Sequence, residues 1–294
     1  MRKVQIITDS CSDLGRDIRE KYGIDYAKMS IVMQGEEKPA GLDWDLYTPE
    51  ELYGVMREGE RVTTTQVPAG EFQRIFTEYL DKEYDIVYIG CALPLSGSVN
   101  TGAVVAGQLK DKYPDAQIFS IDATNSCLGE GLLAVRAAEL RDQGLSASEI
   151  AAEIEKEKHN VNQFVTVNSL DALRRAGRVK ASSAFFGNLF GVKPIIISDK
   201  IGQNIAVKKV KGRASSIDEL VNLIKEAMTD PANTTVFVGH SDCEAEGRAL
   251  CEKVKSETGC KDVYFNVIGP IIGASIGPDA LAVFAMGKPV ETVG

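Results

Sequence analysis

Runs of consecutive apolar residues alternate with amphipathic segments through the first half of the chain. Residues 3–8 (KVQIIT), 85–92 (DIVYIGCA) and 117–122 (QIFSID) have the pattern of buried strands, and a helix-like pattern follows each of them. The third is followed by a predicted helix from about Gly129 to Gly144. This alternation predicts parallel strands that are joined by right-handed helical crossovers.

Local signals predict where several helices begin and end. Thr48 is expected to cap a helix that has Pro49 in its first position, and Ser146 with Glu149 has the spacing of a capping box. The DSCSDL segment (9–14) is expected to provide turn and capping side chains for a helix that ends at Gly23.

The second half begins with shorter apolar runs. VKPIIIS (192–198) and IAVKKVKGR (205–213) flank a turn and predict a β-hairpin, after which strands and helices alternate again. At 294 residues the chain is longer than most single cores. We therefore predict an α/β protein of two domains, 1–158 with a parallel sheet flanked by helices and 159–294 with a mixed sheet containing an antiparallel hairpin.

Composition and charge exclude several classes of function. Lys and Arg total 33 against 42 for Asp and Glu, and the net charge of −9 is unsuited to nucleic-acid binding. Six scattered cysteines without a CxxC pair, and only two histidines, predict no metal site, no cofactor and a reducing, cytoplasmic location. Cys91 is interpreted as a small buried hydrophobe. No apolar run approaches the roughly 20 residues that span a bilayer.

Two loops carry hydroxyl groups at predicted strand-to-helix junctions. LPLSGS contributes Ser96, Gly97 and Ser98, and VTTTQVP contributes Thr64 and Thr65. Each hydroxyl could be a plain helix cap. If the junctions share the ligand edge of one parallel sheet, the loops instead form one site, and the lack of Lys or Arg in both favours a carboxylate over a phosphate.

A second interpretation makes Ser96 the nucleophile of a small hydrolase. Against it, the GxSxG elbow is absent because Pro94 stands two residues before Ser96, and His159 and His240 are the only imidazoles. His240 is interpreted as a structural histidine or a helix cap. The segment from Arg174 to Ile197 is either an ordinary buried helix or, through aromatic residues that include Phe186 and Phe190, the wall of an apolar tunnel.

Taken in order, these motifs resemble the DegV family of bacterial fatty-acid-binding proteins, which includes the binding subunit of fatty-acid kinase. The matching segments span nearly the whole chain and are ITDSCSDL, TTQVPAGEF, LSGS, LDALRRAGRV, GVKPII with KKVKGR, and IGPIIGASIGPDALAV. The resemblance implies two α/β domains with a long-chain fatty acid such as palmitate between them, bound without catalysis. It also implies a possible partner, an ATP-dependent kinase subunit.

The resemblance assigns the carboxylate to Thr64 and Ser96, which match the threonine of a TSQP-like loop and the serine of an LSGT loop. The sequence departs from the family where GAHTGPG is usual, because GASIGPD places Ser275, Ile276 and Asp279 at the histidine, threonine and last glycine. Ser275 is therefore expected near the head group of the ligand, where it replaces the imidazole N–H donor of the usual histidine.

Overall fold

The computed structural model describes residues 2–181 and 191–292, and its strands and helices are numbered here in chain order. The elements up to residue 157 are β1 (Lys3–Asp9), α1 (Arg16–Tyr22), β2 (Ile24–Ala27), β3 (Met29–Met33), β4 (Glu36–Ala40), α2 (Pro49–Arg57), β5 (Thr63–Thr65), α3 (Ala69–Leu80), β6 (Tyr84–Gly90), α4 (Ser98–Leu109), β7 (Ile118–Asp122), α5 (Leu128–Asp142) and α6 (Ala147–Glu157). The later elements are β8 (Val161–Thr166), α7 (Asp171–Ala176), β9 (Val192–Ser198), β10 (Asn204–Lys211), α8 (Arg213–Ala227), β11 (Thr235–His240), α9 (Glu244–Thr258), β12 (Asp262–Val267), α10 (Pro270–Ile276) and β13 (Leu281–Met286).

The predicted α/β class is confirmed, with a parallel sheet in the first half and a mixed sheet in the second. The first sheet has the strand order β2-β1-β6-β7 and all of its pairs are parallel. The second has the order β10-β9-β8-β13-β11-β12, in which β11 and β12 pair in parallel and the other pairs are antiparallel. The predicted hairpin is the antiparallel pair β9–β10.

A third sheet corrects the expected position of the threonine loop. Strand β5 pairs with β3 in an antiparallel sheet of order β4-β3-β5, in which Thr64 lies opposite Ile31. The VTTTQVP loop therefore does not share a sheet edge with LPLSGS. The sequence did not reveal this because a strand of three residues is too short to show a period of two.

The predicted helix boundaries are mostly confirmed. Thr48 and Ser146 both cap their helices in capping boxes, and α1 ends at Gly23 in the left-handed conformation that glycine favours. The expected capping of α1 by the DSCSDL segment is wrong, because its N-cap is Gly15 and no side chain binds there. The acidic side chains of that segment instead enter the protein interior, as described below.

Helix α5 connects the two halves of the molecule. Most of its residues are buried, and it packs against β1 and β6 of the first sheet and against β8, β11 and β13 of the second. One apolar cluster accordingly joins Leu128 and Leu133 of α5 to Phe237 and Phe284 of the second sheet. A helix that is surrounded on all sides is expected to be apolar around its whole circumference, which makes the buried Glu130 in its first turn unusual.

Among the described residues, no helix combines the length and the apolar character that crossing a bilayer requires.

Candidate functional site

A cavity lies between the two halves, near the start of α5. Its empty volume is about 680 Å³, and part of this space is open to solvent. Both halves contribute to its wall, which is mainly apolar. The described lining residues are Cys11, Met29, Thr64, Cys91, Leu95, Ser96, Ser126, Cys127, Gln163, Val165, Leu173, Arg178, Ile196, Asn204, Ile268, Ile271, Ile272, Ser275, Ile276, Ala282 and Phe284.

Three of the predicted site residues, Thr64, Ser96 and Ser275, line this cavity. They come from β5, from the loop after β6 and from α10, so three separate parts of the chain bring one hydroxyl each. Within residues 2–181 and 191–292, the hydroxyls of Thr64 and Ser275 make no hydrogen bond. These two donors are free to bind a ligand that enters the cavity.

Thr65 does not join them. Successive residues of a strand point to opposite faces, and while Thr64 lines the cavity the Thr65 hydroxyl donates to Glu37 Oε1 at 2.7 Å. The contact ties β5 to β4 on the outer side of the small sheet. Thr65 is therefore part of the framework in this structure.

Gly97 and Ser98 hold the two loops together. The buried Ser98 Oγ lies 2.9 Å from Ser96 Oγ and accepts a hydrogen bond from the Val67 N–H at 3.2 Å. Gln66 Oε1 lies close to Gly97, where a Cβ would stand 2.1 Å from it and would require the flexible Gln66 side chain to move. These contacts bring LPLSGS and VTTTQVP together although they belong to different sheets.

The carboxy-terminal motif divides between the cavity and the surface. Ser275 and Ile276 line the cavity. Asp279 has φ 63°, a left-handed conformation that glycine adopts more readily than other residues, and its side chain pairs with Arg57 at 2.7 Å. Asp279 therefore has a local structural role, whereas Ser275 faces the ligand space.

An arginine that the sequence analysis did not assign to the site also lines the cavity. Arg178 follows α7, and its Nε donates to the carbonyl oxygen of Leu95 at 3.1 Å, next to Ser96. Arg178, Thr64 and Ser275 line both the cavity and an adjoining surface groove, and these three residues are called the cavity mouth below. The two loops contain no Lys or Arg, and Arg178 reaches the cavity wall from outside both of them.

The groove outside the mouth is larger and more polar. Its empty volume is about 1260 Å³, and it is lined by Arg61 and Arg175 as well as by the mouth residues. Glu60 is the acidic side chain among its described lining. Arginine therefore dominates the charge of the surface beside the mouth.

The hydrolase hypothesis gains no support from the geometry. Ser96 Oγ is paired with Ser98 Oγ, and no histidine is among the described residues of the cavity wall. His240 ends β11, stacks on Phe265 with ring centroids 5.0 Å apart, and accepts from the Cys243 N–H at 3.3 Å. It is the structural histidine that the sequence predicted.

Two lining residues, Cys11 and Cys91, belong to a buried group of thiols and acids that also contains Asp9 and Glu130. These four residues are called the inner corner below. Each of these four residues is at most 2% exposed. Burial raises the pKa of Asp9, although hydrogen bonds from Tyr88 and two backbone N–H groups lower it again. Burial, and next the charge of Asp9, raises the pKa of Glu130 well above its usual value.

The inner corner also contains the candidate metal ligands among the described residues. One ligand atom each of Cys11, Cys91 and Glu130 lies within 4.8 Å of the other two. The sequence showed no such group, because its members are separated by tens of residues. The predicted tunnel residues Phe186 and Phe190 lie outside the described residues.

The comparisons with known proteins agree on one family. A family model described as "Uncharacterised protein, DegV family" matches residues 3–288. A DegV domain-containing protein of Clostridium perfringens (strain 13 / Type A) is 33% identical over 291 residues, covering 99% of this chain and 100% of its own.

Solved structures extend the likeness to the fold. A DegV family protein from Thermus thermophilus, described by its fatty acid binding, has a TM-score of 0.88 at 25% identity, covering 98% of this chain and 100% of its own. A stearic acid-binding protein from Eubacterium ventriosum has a TM-score of 0.87 at 25% identity, with coverages of 97% and 98%. The likeness covers both halves of the molecule.

Proposed function

The chain belongs to the DegV family, and on this premise we propose that it binds a long-chain fatty acid without catalysing a reaction. The carboxylate is held by Thr64 and Ser96, and the acyl chain follows the apolar wall of the cavity between the halves. Support comes from the two solved relatives at 25% identity that are described as fatty acid binders.

One observation carries the proposal: free hydroxyls and an arginine stand at the opening of a cavity whose remaining wall is mainly apolar. This division matches a molecule with one polar end. A carboxylate accepts hydrogen bonds only, and hydroxyl and guanidinium groups can donate them. Ser275, where the family usually has histidine, adds a shorter donor at the same opening, and Arg178 adds a positive charge.

The two ends of the ligand contribute differently to affinity. Burying roughly fourteen methylenes at about 0.8 kcal/mol each gains roughly 11 kcal/mol before the entropy of binding is subtracted. A hydrogen bond to a charged head group adds about 1.5–3 kcal/mol. The acyl chain therefore supplies most of the affinity, and the hydroxyls set the direction in which the acid enters.

The proposal is tested by mass and by affinity. Native mass spectrometry of gently purified protein should show an adduct of the mass of a long-chain acid. After delipidation, Thr64→Ala combined with Ser96→Ala should weaken binding of a fluorescent C16 acid by at least about tenfold, the equivalent of about 1.4 kcal/mol.

Thr65→Ala is the matched control, because it removes a neighbouring hydroxyl that points away from the cavity. It should leave the affinity unchanged. Absence of both the adduct and saturable binding would overturn the proposal, and equal losses in the control and the double variant would remove the carboxylate from Thr64 and Ser96.

Presentation of the bound acid to a separate ATP-dependent kinase subunit is a second part of the proposal. The arginine-lined groove beside the mouth favours it, because Arg61 and Arg175 can accompany phosphate groups. A fatty-acid kinase ATP subunit, mixed with ATP and the loaded protein, should form acyl phosphate. The double variant Arg61→Ala with Arg175→Ala should slow that reaction and leave the affinity for the fatty acid unchanged. If none of several kinase subunits forms acyl phosphate with the loaded protein, this part of the proposal is refuted.

A further inference from the structure

The inner corner gathers two thiols and a carboxyl group from three elements. Cys11 follows β1, Cys91 follows β6, and Glu130 lies in the first turn of α5. One ligand atom of each lies within 4.8 Å of the others. Two thiolate sulfurs on one zinc ion stand about 3.8 Å apart, given Zn–S bonds of about 2.3 Å. We propose that Cys11, Cys91 and Glu130 form a binding site for a thiophilic divalent cation of the Zn²⁺ class.

A single carboxylate fixes the positions of the two cysteines. Asp9 Oδ1 accepts from the Cys11 N–H at 2.8 Å, and Asp9 Oδ2 accepts from the Cys91 N–H at 3.3 Å. The Tyr88 hydroxyl donates to Asp9 Oδ2 at 2.7 Å. The backbone of both cysteines is therefore held in place before any ion binds. Groups that hydrogen-bond around the ligands of a metal site normally have this role.

Glu130 supplies an independent sign of a ligand. Its Oε1 accepts from the Thr8 hydroxyl at 2.7 Å, which orients the carboxyl group. Its Oε2 is buried and has no hydrogen-bond partner among the described residues. A buried oxygen without a partner costs about 1–3 kcal/mol or more, and a cation bound there removes that cost.

The donor types of the corner select the class of ion. Two sulfurs favour Zn²⁺ over the oxygen-seeking Mg²⁺ or Ca²⁺. Cys11 Sγ also lies 3.3 Å from Met29 Sδ, a further soft donor.

The cavity provides the route into the site. Cys11, Cys91 and Met29 all line it, so an ion can reach the thiols without unfolding of the protein. Three protein ligands leave the fourth position of a tetrahedral ion for Met29 or for a water molecule in the cavity. Ligation requires both thiols to lose their protons to solvent, so Zn²⁺ binding should release protons.

The experiment titrates ZnCl₂ and CoCl₂ into reduced, chelator-treated, delipidated protein. We expect one Zn²⁺ per chain, and with Co²⁺ the absorption bands of thiolate ligation. Cys11→Ser, Cys91→Ser and Glu130→Gln should each weaken Zn²⁺ binding at least tenfold. Cys127→Ser is the matched control, because Cys127 is a buried cysteine that lines the same cavity outside the cluster, and it should bind Zn²⁺ like the parent.

A further variant, Thr8→Val, separates an effect on Zn²⁺ binding from an effect of misfolding. It keeps all three ligands and removes only the hydroxyl that orients Glu130. It should weaken binding by roughly 10–100-fold. Absence of stoichiometric Zn²⁺ in the reduced parent, equal loss in Cys127→Ser, or a Cys11–Cys91 disulfide with no metal binding after reduction would overturn the proposal. Because no fatty acid is present, a negative result leaves the proposed function standing.

Discussion

The cavity mouth and the inner corner both contribute residues to the wall of the same cavity, but they differ in solvent access and in hydrogen bonding. Two mouth hydroxyls, those of Thr64 and Ser275, are half-buried and have no partner among the described residues. The Asp9 carboxylate of the inner corner is fully buried and accepts from three donors. Polar groups that water can reach are available to a ligand, whereas those cut off from water are normally satisfied by the protein itself. Glu130 Oε2 is the exception in the inner corner, because it is buried and has no partner among the described residues.

The largest effect should come from breaking the inner corner. Asp9→Ala leaves the Tyr88 hydroxyl and the N–H groups of Cys11 and Cys91 without their acceptor, at about 1–3 kcal/mol each. We expect the free energy of unfolding in urea to fall by about 3 kcal/mol or more. Thr64→Ala, at the mouth, should change it by less than about 0.5 kcal/mol, and similar values for the two variants would contradict the comparison.

A buried aspartic acid should also make the free energy of unfolding depend on pH. Burial raises the pKa of Asp13 to about 7 from its ordinary 3.8, so the folded state holds a proton that the unfolded chain has lost. The contribution of Asp13 is therefore complete below pH 4 and lost as pH rises to 7, by up to about 1.4 kcal/mol per pH unit. Asp13→Asn removes this loss while an oxygen remains to accept from the Gly269 N–H.

The measurement is a series of urea titrations between pH 4 and pH 8 on the parent and on Asp13→Asn. The stability of the variant relative to the parent should rise across this range, by about 2–4 kcal/mol in total, and level off above pH 7. A difference independent of pH would show that Asp13 does not titrate in this window.

At the mouth, the effect should appear in affinity rather than in stability. Arg178→Met keeps the length of the apolar stem and removes the charge, so fatty-acid binding should weaken about tenfold, the equivalent of about 1.4 kcal/mol. Raising the salt concentration should narrow the difference between parent and variant, because screening weakens the charge. Arg175→Met, in the groove but outside the cavity wall, should bind like the parent, and unchanged binding by Arg178→Met would remove the arginine from the site.

The smallest effect separates two serines that are two residues apart. Ser98→Ala removes the acceptor of the Val67 N–H, and we expect a loss of about 1 kcal/mol in unfolding free energy. Ser96→Ala removes the acceptor of the Ser98 N–H, but Ser96 is half-buried and water can replace that acceptor. Its loss of stability should therefore be smaller, about 0.5 kcal/mol, and its main effect should be a lower fatty-acid affinity. Thermal denaturation and a binding titration on both variants measure the two effects. A larger loss of stability in Ser96→Ala and a larger loss of affinity in Ser98→Ala would exchange the roles of the two hydroxyls.

The sequence predicted much of the fold because its signals are local. The parallel strands, the β9–β10 hairpin and the capping boxes at Thr48 and Ser146 can each be recognised within a dozen residues. The ordered motifs added the family and singled out Thr64, Ser96 and Ser275, which all line the cavity. The short strand β5 was missed because three residues establish no period.

Only the tertiary structure brought Arg178 to the mouth and gathered Cys11, Cys91 and Glu130 in the inner corner. Contacts between residues so distant in sequence depend on how the two halves pack around α5, which no local pattern encodes. Packing also divided neighbouring hydroxyls, since Thr64 faces the cavity while Thr65 binds Glu37. The sequence by itself determined which side chains could act, and the fold decided which of them remain accessible, because accessibility is a property of the packed interior.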